Sequence, residues 1–359
     1  MTGPAAGPVA GVVPAMEGAY RRGERRRVFM LGAAGLVLAA TALVDLTTGP
    51  SSLSVEEALT ALAAGPAGPD RLAATILWQL RLPTTVMGGL VGAALGVAGL
   101  QMQTILDNPL ASPFTLGFSA AAGFGAALAI MFGAAVPVAG WLLTPAAAFA
   151  MTLAACGLVY LVARLRGASA HVLVLGGIAV LFLFQALQSL LQYMAAPEVL
   201  QQIVFWLFGS LTKASWTSVA VLAVIMAAVA PVLARDVWRL TALRLGERQA
   251  RSLGVATAAL RRRSFVCVAL LTAGAVAFVG TIGFVGLAAP HAARALAGED
   301  LRVAMPMAAL IGAIVLVGAS VLSKLVSPGA VVPVGIVTAI IGVPILFALI
   351  FRRDGAVVE

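Results

Sequence analysis

The sequence predicts an all-α, polytopic membrane protein of about ten transmembrane helices with both termini cytoplasmic. Composition is the first reason: 61% of the 359 residues are hydrophobic, 10% are charged and the mean hydropathy is +1.05. An ordinary soluble domain carries about 25% charged residues. Charge placement is the second reason. Long charge-free stretches run over 28–44, 82–106, 108–163, 167–197, 214–234, 264–293, 303–323 and 325–351, and about 20 apolar residues cross the hydrocarbon. The third is an asymmetry of charge between the two sides. Together these exclude a soluble enzyme, a disordered chain and a nucleic-acid binder. The net charge of +9 reads as loop charge on the cytoplasmic side, not as affinity for an acidic polymer. Cys156 and Cys267 lie in apolar runs, so they read as packing residues and imply no disulfide framework.

Taken in order, the first nineteen residues are rich in Gly, Pro and Ala and read as a disordered tail. Arg21 to Arg27 precede the first apolar run. No small-residue cleavage site follows Leu46, so this run is an anchor that stays in place. The second span opens with Arg81-Leu82-Pro83-Thr84-Thr85 and continues through Gly88, Gly92 and Gly96. A small residue at every fourth position lets helix backbones approach closely. The span ends in Asp107-Asn108-Pro109-Leu110-Ala111-Ser112-Pro113, where two prolines allow a rigid non-helical turn, either a gate or a simple turn. The stretch 108–163 is too long for one span, and Val136-Pro137 with Gly140 divides it. On the fifth span Gln185, Gln188 and Gln192 share one helical face. Amides in hydrocarbon must be hydrogen-bonded or wet, so this face either lines a pore or bonds to a neighbouring helix. The stretch 264–293, with Gly280, Gly283 and Gly286 near its middle, is one kinked helix or two joined tightly.

Charge asymmetry decides between them. Two helices there give ten spans and put 19 of the 23 Lys and Arg on the side of both termini, leaving Arg71, Arg81, Lys213 and Lys324 opposite. Nine spans give a split of 16 to 7. The positive-inside bias favours ten. The largest cytoplasmic connection is then 235–263. Within it, Leu245 to Gly254 is a helical segment ended by glycine, read as a foot for a protein partner or as a solvated basic loop.

The energy source is read from what the spans lack. Proton- or sodium-coupled carriers usually keep acids inside their spans. Here Asp45 and Asp107 stand only near span ends, and Glu198 falls in an outer loop. Neither Lys213 nor Lys324 follows a glycine, as a phosphate-binding loop requires. An intramembrane enzyme would need a catalytic pair, and the two histidines, His171 and His291, sit near the boundary without metal-ligand spacing. Whatever this chain moves must be driven by another subunit.

Six segments occur in order over about 28–353: Leu80-Arg81-Leu82-Pro83, Asn108-Pro109-Leu110-Ala111, Gln201 to Ser210, Leu245 to Gly254, Gly283 to Leu287 with Pro290-His291, and Pro333 to Thr338. In these the chain resembles the FecCD family, the permease subunits of ABC importers for cobalamin, ferric siderophores and haem. The resemblance implies ten helices per subunit in two inverted halves, and a homodimer in the bacterial inner membrane and its lipid. It further implies two cytoplasmic ABC ATPases carrying Mg-ATP and a periplasmic binding protein, with no cofactor, metal or nucleic acid held by this chain. It divides the chain into a disordered cytoplasmic tail (1–27), a transmembrane permease domain (28–353, with 235–263 as coupling loop) and a tail (354–359).

By the same resemblance, Gly246, Glu247, Ala250, Leu253 and Gly254 belong to the segment that couples to the ATPase. Asn108, Pro109 and Leu110, with Ser169 in the turn Gly167-Ala168-Ser169, match the cytoplasmic gate. Gln185, Gln188 and Gln192 line the pathway, Arg81 and Lys324 match positions that dock acidic residues of the binding protein, and His291 packs near the foot. Two positions depart from the family pattern: Thr84, where a second arginine is common, and Val331, where many relatives carry an acid. The implied cargo is an iron complex, haem or a ferric siderophore, with cobalamin as the alternative. A stand-alone secondary carrier is the rival class.

Overall fold

A computed structural model describes residues 9–49, 53–133, 140–326 and 331–354. Among these residues the regular structure is helical throughout. In chain order the helices are α1 (Val9–Thr47), α2 (Val55–Ala64), α3 (Arg71–Thr75), α4 (Leu82–Ile105), α5 (Phe118–Phe132), α6 (Gly140–Arg166) and α7 (Ala170–Met194). They continue as α8 (Pro197–Leu207), α9 (Trp216–Leu243), α10 (Glu247–Ser252), α11 (Thr257–Val279), α12 (Val285–Ala297), α13 (Leu301–Leu325) and α14 (Val334–Asp354). A π-helical turn, Ile76–Arg81, joins α3 to α4.

Among the described residues, seven helical runs are long and apolar enough to cross a membrane: Arg25–Thr47 of α1, the continuous run Arg71–Ile105, and those of α6, α7, α9, α11 and α13. The helix α5 and the Val334–Pro344 part of α14 are shorter apolar helices. With α12, 13 residues long and so about 20 Å at 1.5 Å per residue, each expected span has its own helix. The stretch 108–163 divides into α5 and α6; Gly140 begins α6, and Val136-Pro137 lies outside the described residues. The ambiguous 264–293 is two helices. They part at Gly280–Phe284, where Gly280 has φ +77° and a Cβ on it would stand 2.2 Å from Trp206 O. Phe284, the residue before α12, also sits in the left-handed region at φ +66°.

The centre is α4 and α11, each with 72% of its apolar window buried, against 6% for α1. The most extensive helix contact is α4 on α13, and the glycine stripe makes it. A Cβ on Gly92 would lie 2.2 Å from Gly312 O, one on Gly312 2.1 Å from Gly92 O, and one on Gly96 2.2 Å from Ala308 O. One turn further on, Gly99 meets Gly286 O of α12 in the same manner. Only residues without side chains allow such approach.

Two expectations change. Helix α1 already begins at Val9, so residues 9–27 of the expected disordered tail are helical, while 1–8 lie outside the described residues. Extending a helix already nucleated by a span costs far less than starting one. The segment 235–263 is likewise not one loop. Its charges ride mostly on the end of α9, on α10 and on the start of α11, with only 244–246 and 253–256 non-helical around α10. Of the tail 354–359, Asp354 closes α14 and the rest lies outside the described residues.

Candidate functional site

Successive spans alternate between two ends of the molecule, and contacts identify each end. At one end lie the turns 106–117 and 167–169, α10 and the α12–α13 connection. Arg27 of α1 lies 3.6 Å from Asp300 there, so the N-terminal part of α1 is at this end. Arg302 pairs with Asp300 at 2.6 Å and its guanidinium covers the ring of Trp238 at 4.2 Å.

Here the foot, α10, is built from two glycines and a salt bridge. Gly246 (φ +109°) turns the chain out of α9, and Gly254 (φ +79°) turns it toward α11. Ala250 is fully buried, while Leu245 and Leu253 are 66% and 65% exposed. Glu247, its side chain part-exposed, is paired within the foot. Its carboxylate accepts from Arg261 Nη1 at 2.7 Å, from Arg251 Nη2 and from Thr257 Oγ1 at 3.3 Å. The Arg261 hydrogen bond holds the Glu247 carboxyl below its ordinary value of 4.5, against an opposing burial cost and with help from the charges of Arg261 and Arg251.

Of the expected gate residues, Asn108 shapes the turn: its Oδ1 accepts from Leu110 N at 2.9 Å, closing an Asx turn, and its carbonyl accepts from Ala111 N at 3.1 Å. Asp107 just before it has φ +47°. Pro109 is exposed and Leu110 projects with 56% exposure. Ser169 caps α7 by accepting from Val172 N at 3.4 Å. The sequence reading missed what joins these parts. Arg261 donates from Nε to Ile105 O at 3.0 Å and from Nη1 to Ala168 O at 3.5 Å, while also holding Glu247.

The opposite end holds Arg81 and Lys324, expected as outward docking charges. The structure turns both inward. Lys324 Nζ donates to Asp45 Oδ1 at 2.7 Å and to the Asp45 carbonyl at 2.9 Å; the lysine side chain is 8% exposed and that of Asp45 fully buried. Thr85 Oγ1 donates to Asp45 Oδ2 at 2.5 Å, and Arg81 Nη1 to Leu46 O at 2.8 Å. A fixed acid inside a low-dielectric region draws nearby cations to itself. The two cations nevertheless line a common cleft of about 210 Å³, and both departures from the family pattern, Thr84 and Val331, line it too.

Beside the cleft two motif segments, 201–210 and 333–338, meet each other and the end of α11 largely through backbone groups. Ser210 N donates to Val279 O at 2.7 Å, Gly335 N to Gly209 O at 3.3 Å, and Thr281 Oγ1 to Leu207 O. A Cβ on Gly335 would stand 2.2 Å from Phe208 O. Non-helical backbone at membrane depth is tolerated where protein surrounds it.

The glutamine face divides. Gln185 is exposed, whereas Gln188 lies against α5, its Oε1 2.4 Å from where a Cβ on Gly123 would be; Gln192 is half-buried. A second buried acid, Asp236, accepts from Arg239 at 2.8 Å and from Arg263 at 2.6 and 2.9 Å. Among the described residues, the two acids within the long apolar helical runs, Asp45 and Asp236, are thus both paired with fixed cations. Among the described residues no three His, Cys, Asp or Glu side chains are grouped to hold a metal ion.

Comparison with known proteins agrees with this architecture. The sequence profile of the FecCD transport family matches residues 37–352. The Fe(3+)-citrate import system permease protein of Bacillus subtilis is 34% identical over 87% of this chain and 90% of its own. The vitamin B12 import system permease protein of Klebsiella pneumoniae is 32% identical over 94% and 97%. A solved structure of an ABC transporter assigned to the metal-chelate type, in an inward-facing conformation, superimposes with a TM-score of 0.80 at 32% identity, covering 90% of this chain and 99% of that one.

Proposed function

The chain belongs to the FecCD transport family, and from that premise we propose that it is the membrane permease of an ATP-driven importer of an iron complex, a ferric siderophore or haem. It is a multi-pass protein of the bacterial inner membrane. The observation that carries the reading is the foot: a short helix held out between α9 and α11 with Leu245, Leu253 and Arg248 exposed, on a chain without a phosphate-binding loop of its own. Such a projection suits an ATPase that does the hydrolysis elsewhere. The basic end faces the cytoplasm by the positive-inside rule, which puts both termini there. Two ATPases grip two such feet in a homodimer, and the pathway runs between the copies past Leu110 and the exposed Gln185. The cleft with Arg81 and Lys324 faces the binding protein.

The Fe(3+)-citrate relative supports iron-complex cargo, and the vitamin B12 relative supports cobalamin as a second reading. The deciding experiment reconstitutes the chain in liposomes with its cognate ATPase and binding protein. Uptake of labelled haem, ferric siderophore and cobalamin is then followed with and without ATP. Uptake needing all three proteins is expected. Uptake by this chain alone on an ion gradient would overturn the reading in favour of a secondary carrier.

A further inference from the structure

Arg261 is the first of three consecutive arginines, and the three side chains go different ways. Arg263 pairs with Asp236 and is 35% exposed, Arg262 is half-buried, and Arg261 is closed off at 6%. Its contacts reach three separate stretches of chain: the carbonyl of Ile105 at the end of α4, the carbonyl of Ala168 in the α6–α7 turn, and the carboxylate of Glu247 in the foot. The first two open the turns that carry Leu110 and Ser169. Both bonds go to backbone oxygens, so they follow the path of the main chain whatever side chains stand there.

Resting on the importer reading, we propose that Arg261 is the positioning residue that ties the foot to both gate turns. A displacement of α10 then reaches 105–113 and 167–169 as one movement. A guanidinium suits this role because its planar fork presents several donors at fixed mutual angles, where a lysine offers a single point charge. The turns need such a tie, since around Asp107 and Gly167 the chain leaves the helical ladder with φ +47° and +88°, and segments with few regular hydrogen bonds yield locally before the rest. Glu247 is in this arrangement the internal anchor of the foot, and the exposed Leu253 and Arg248 are its outer surface.

The test uses the full chain with its cognate ATPase and binding protein, comparing wild type with Arg261→Gln, Arg261→Lys and, as neighbour control, Arg262→Gln. In Arg261→Gln the substrate delivered per ATP hydrolysed falls about tenfold, within the usual span of coupling between sites. Arg261→Lys recovers part of it, and Arg262→Gln leaves the ratio unchanged. A merely structural role would lower the amount of assembled complex without moving that ratio. Hydrogen exchange on the same samples shows 105–113, 167–170 and 246–254 losing protection together in Arg261→Gln. If that variant does not assemble, both readings are taken on Arg261→Lys. An unchanged ratio, or protection lost only in 246–254, overturns the tie. A wild-type complex without ATP-driven uptake overturns the importer reading instead, and the exchange pattern then decides by itself whether Arg261 joins the three segments.

Discussion

Lys324 Nζ lies 2.7 Å from Asp45 Oδ1, joining the ends of α13 and α1 in a pair almost wholly withdrawn from solvent. Removing one partner of a buried ion pair leaves an uncompensated charge and costs about 3–5 kcal/mol, whereas replacing both by apolar groups is often neutral. Lys324→Met is therefore expected to lower the melting temperature of the detergent-purified protein sharply, with the nearby Arg81 keeping the loss at the low end of that range. The double variant Asp45→Leu/Lys324→Met regains most of it. Equal melting of the single and double variants would show that the pair is not closed as described.

The α4–α13 crossing gives a contrast between glycines. Gly92→Ala places a methyl 2.2 Å from the Gly312 carbonyl, where only backbone can yield, and overpacking of this kind costs about 1–3 kcal/mol or more. Gly89, three residues before Gly92 in the same helix and with open space around it, accepts alanine with a gain of up to about 1 kcal/mol in helix propensity. Size-exclusion profiles and melting curves of the two variants are expected to move in opposite directions.

Glu247 sets a pH dependence. Its folded-state value is depressed below 4.5 by Arg261 first, with Arg251 assisting. The stability it contributes is present above that ordinary value and is lost as pH falls through the folded one. Hydrogen-exchange protection of 246–254, corrected for intrinsic rates, is expected to hold from pH 8 to 5 and to fall under stronger acid. Glu247→Gln should abolish that acid step; a step that survives it belongs to another group.

The exposed side of the foot is tested by Leu253→Arg. Leu253 is 65% exposed, so the substitution is expected to change stability by less than about 0.5 kcal/mol while preventing co-purification of the ATPase. Gly254→Arg tests the same surface with one difference. A Cβ there meets open space, but φ +79° adds about 1–2 kcal/mol of backbone strain for a non-glycine residue.

The spans were legible because hydrocarbon imposes a length and punishes charge: gaps between Arg, Lys, Asp and Glu outline the crossing helices, singly or, in 108–163 and 264–293, in pairs. The division of 264–293 was legible because nine spans would have inverted the basic loops. The stripe Gly88, Gly92 and Gly96 reads as packing from spacing alone, and the backbone contacts at Gly92 and Gly96 bear it out. What stayed hidden depends on partners distant in sequence. Nothing local to Arg81 or Lys324 reveals that both turn toward the end of α1, Arg81 to the Leu46 carbonyl and Lys324 to Asp45. Nothing in Arg261-Arg262-Arg263 says which one faces inward; each step around a helix turns about 100°, so 261 and 263 point about 160° apart, one to the gate turns and one to Asp236. The reach of α1 back to Val9 also stayed hidden, because Gly and Pro in a terminal stretch argue against a helix until the span behind it has formed.

Because α4 and α13 meet with no side chains between Gly92 and Gly312, their contact cannot be adjusted by degrees. Elsewhere in the bundle a methylene gained on one helix can be offset by one lost on its neighbour, and sequences drift while the shape persists. At this crossing there is nothing to trade. Variation that suits the protein to a different lipid or partner must accumulate on the outward faces, on α1, α7 and α9, while the middle keeps a fixed separation set by two carbonyl oxygens.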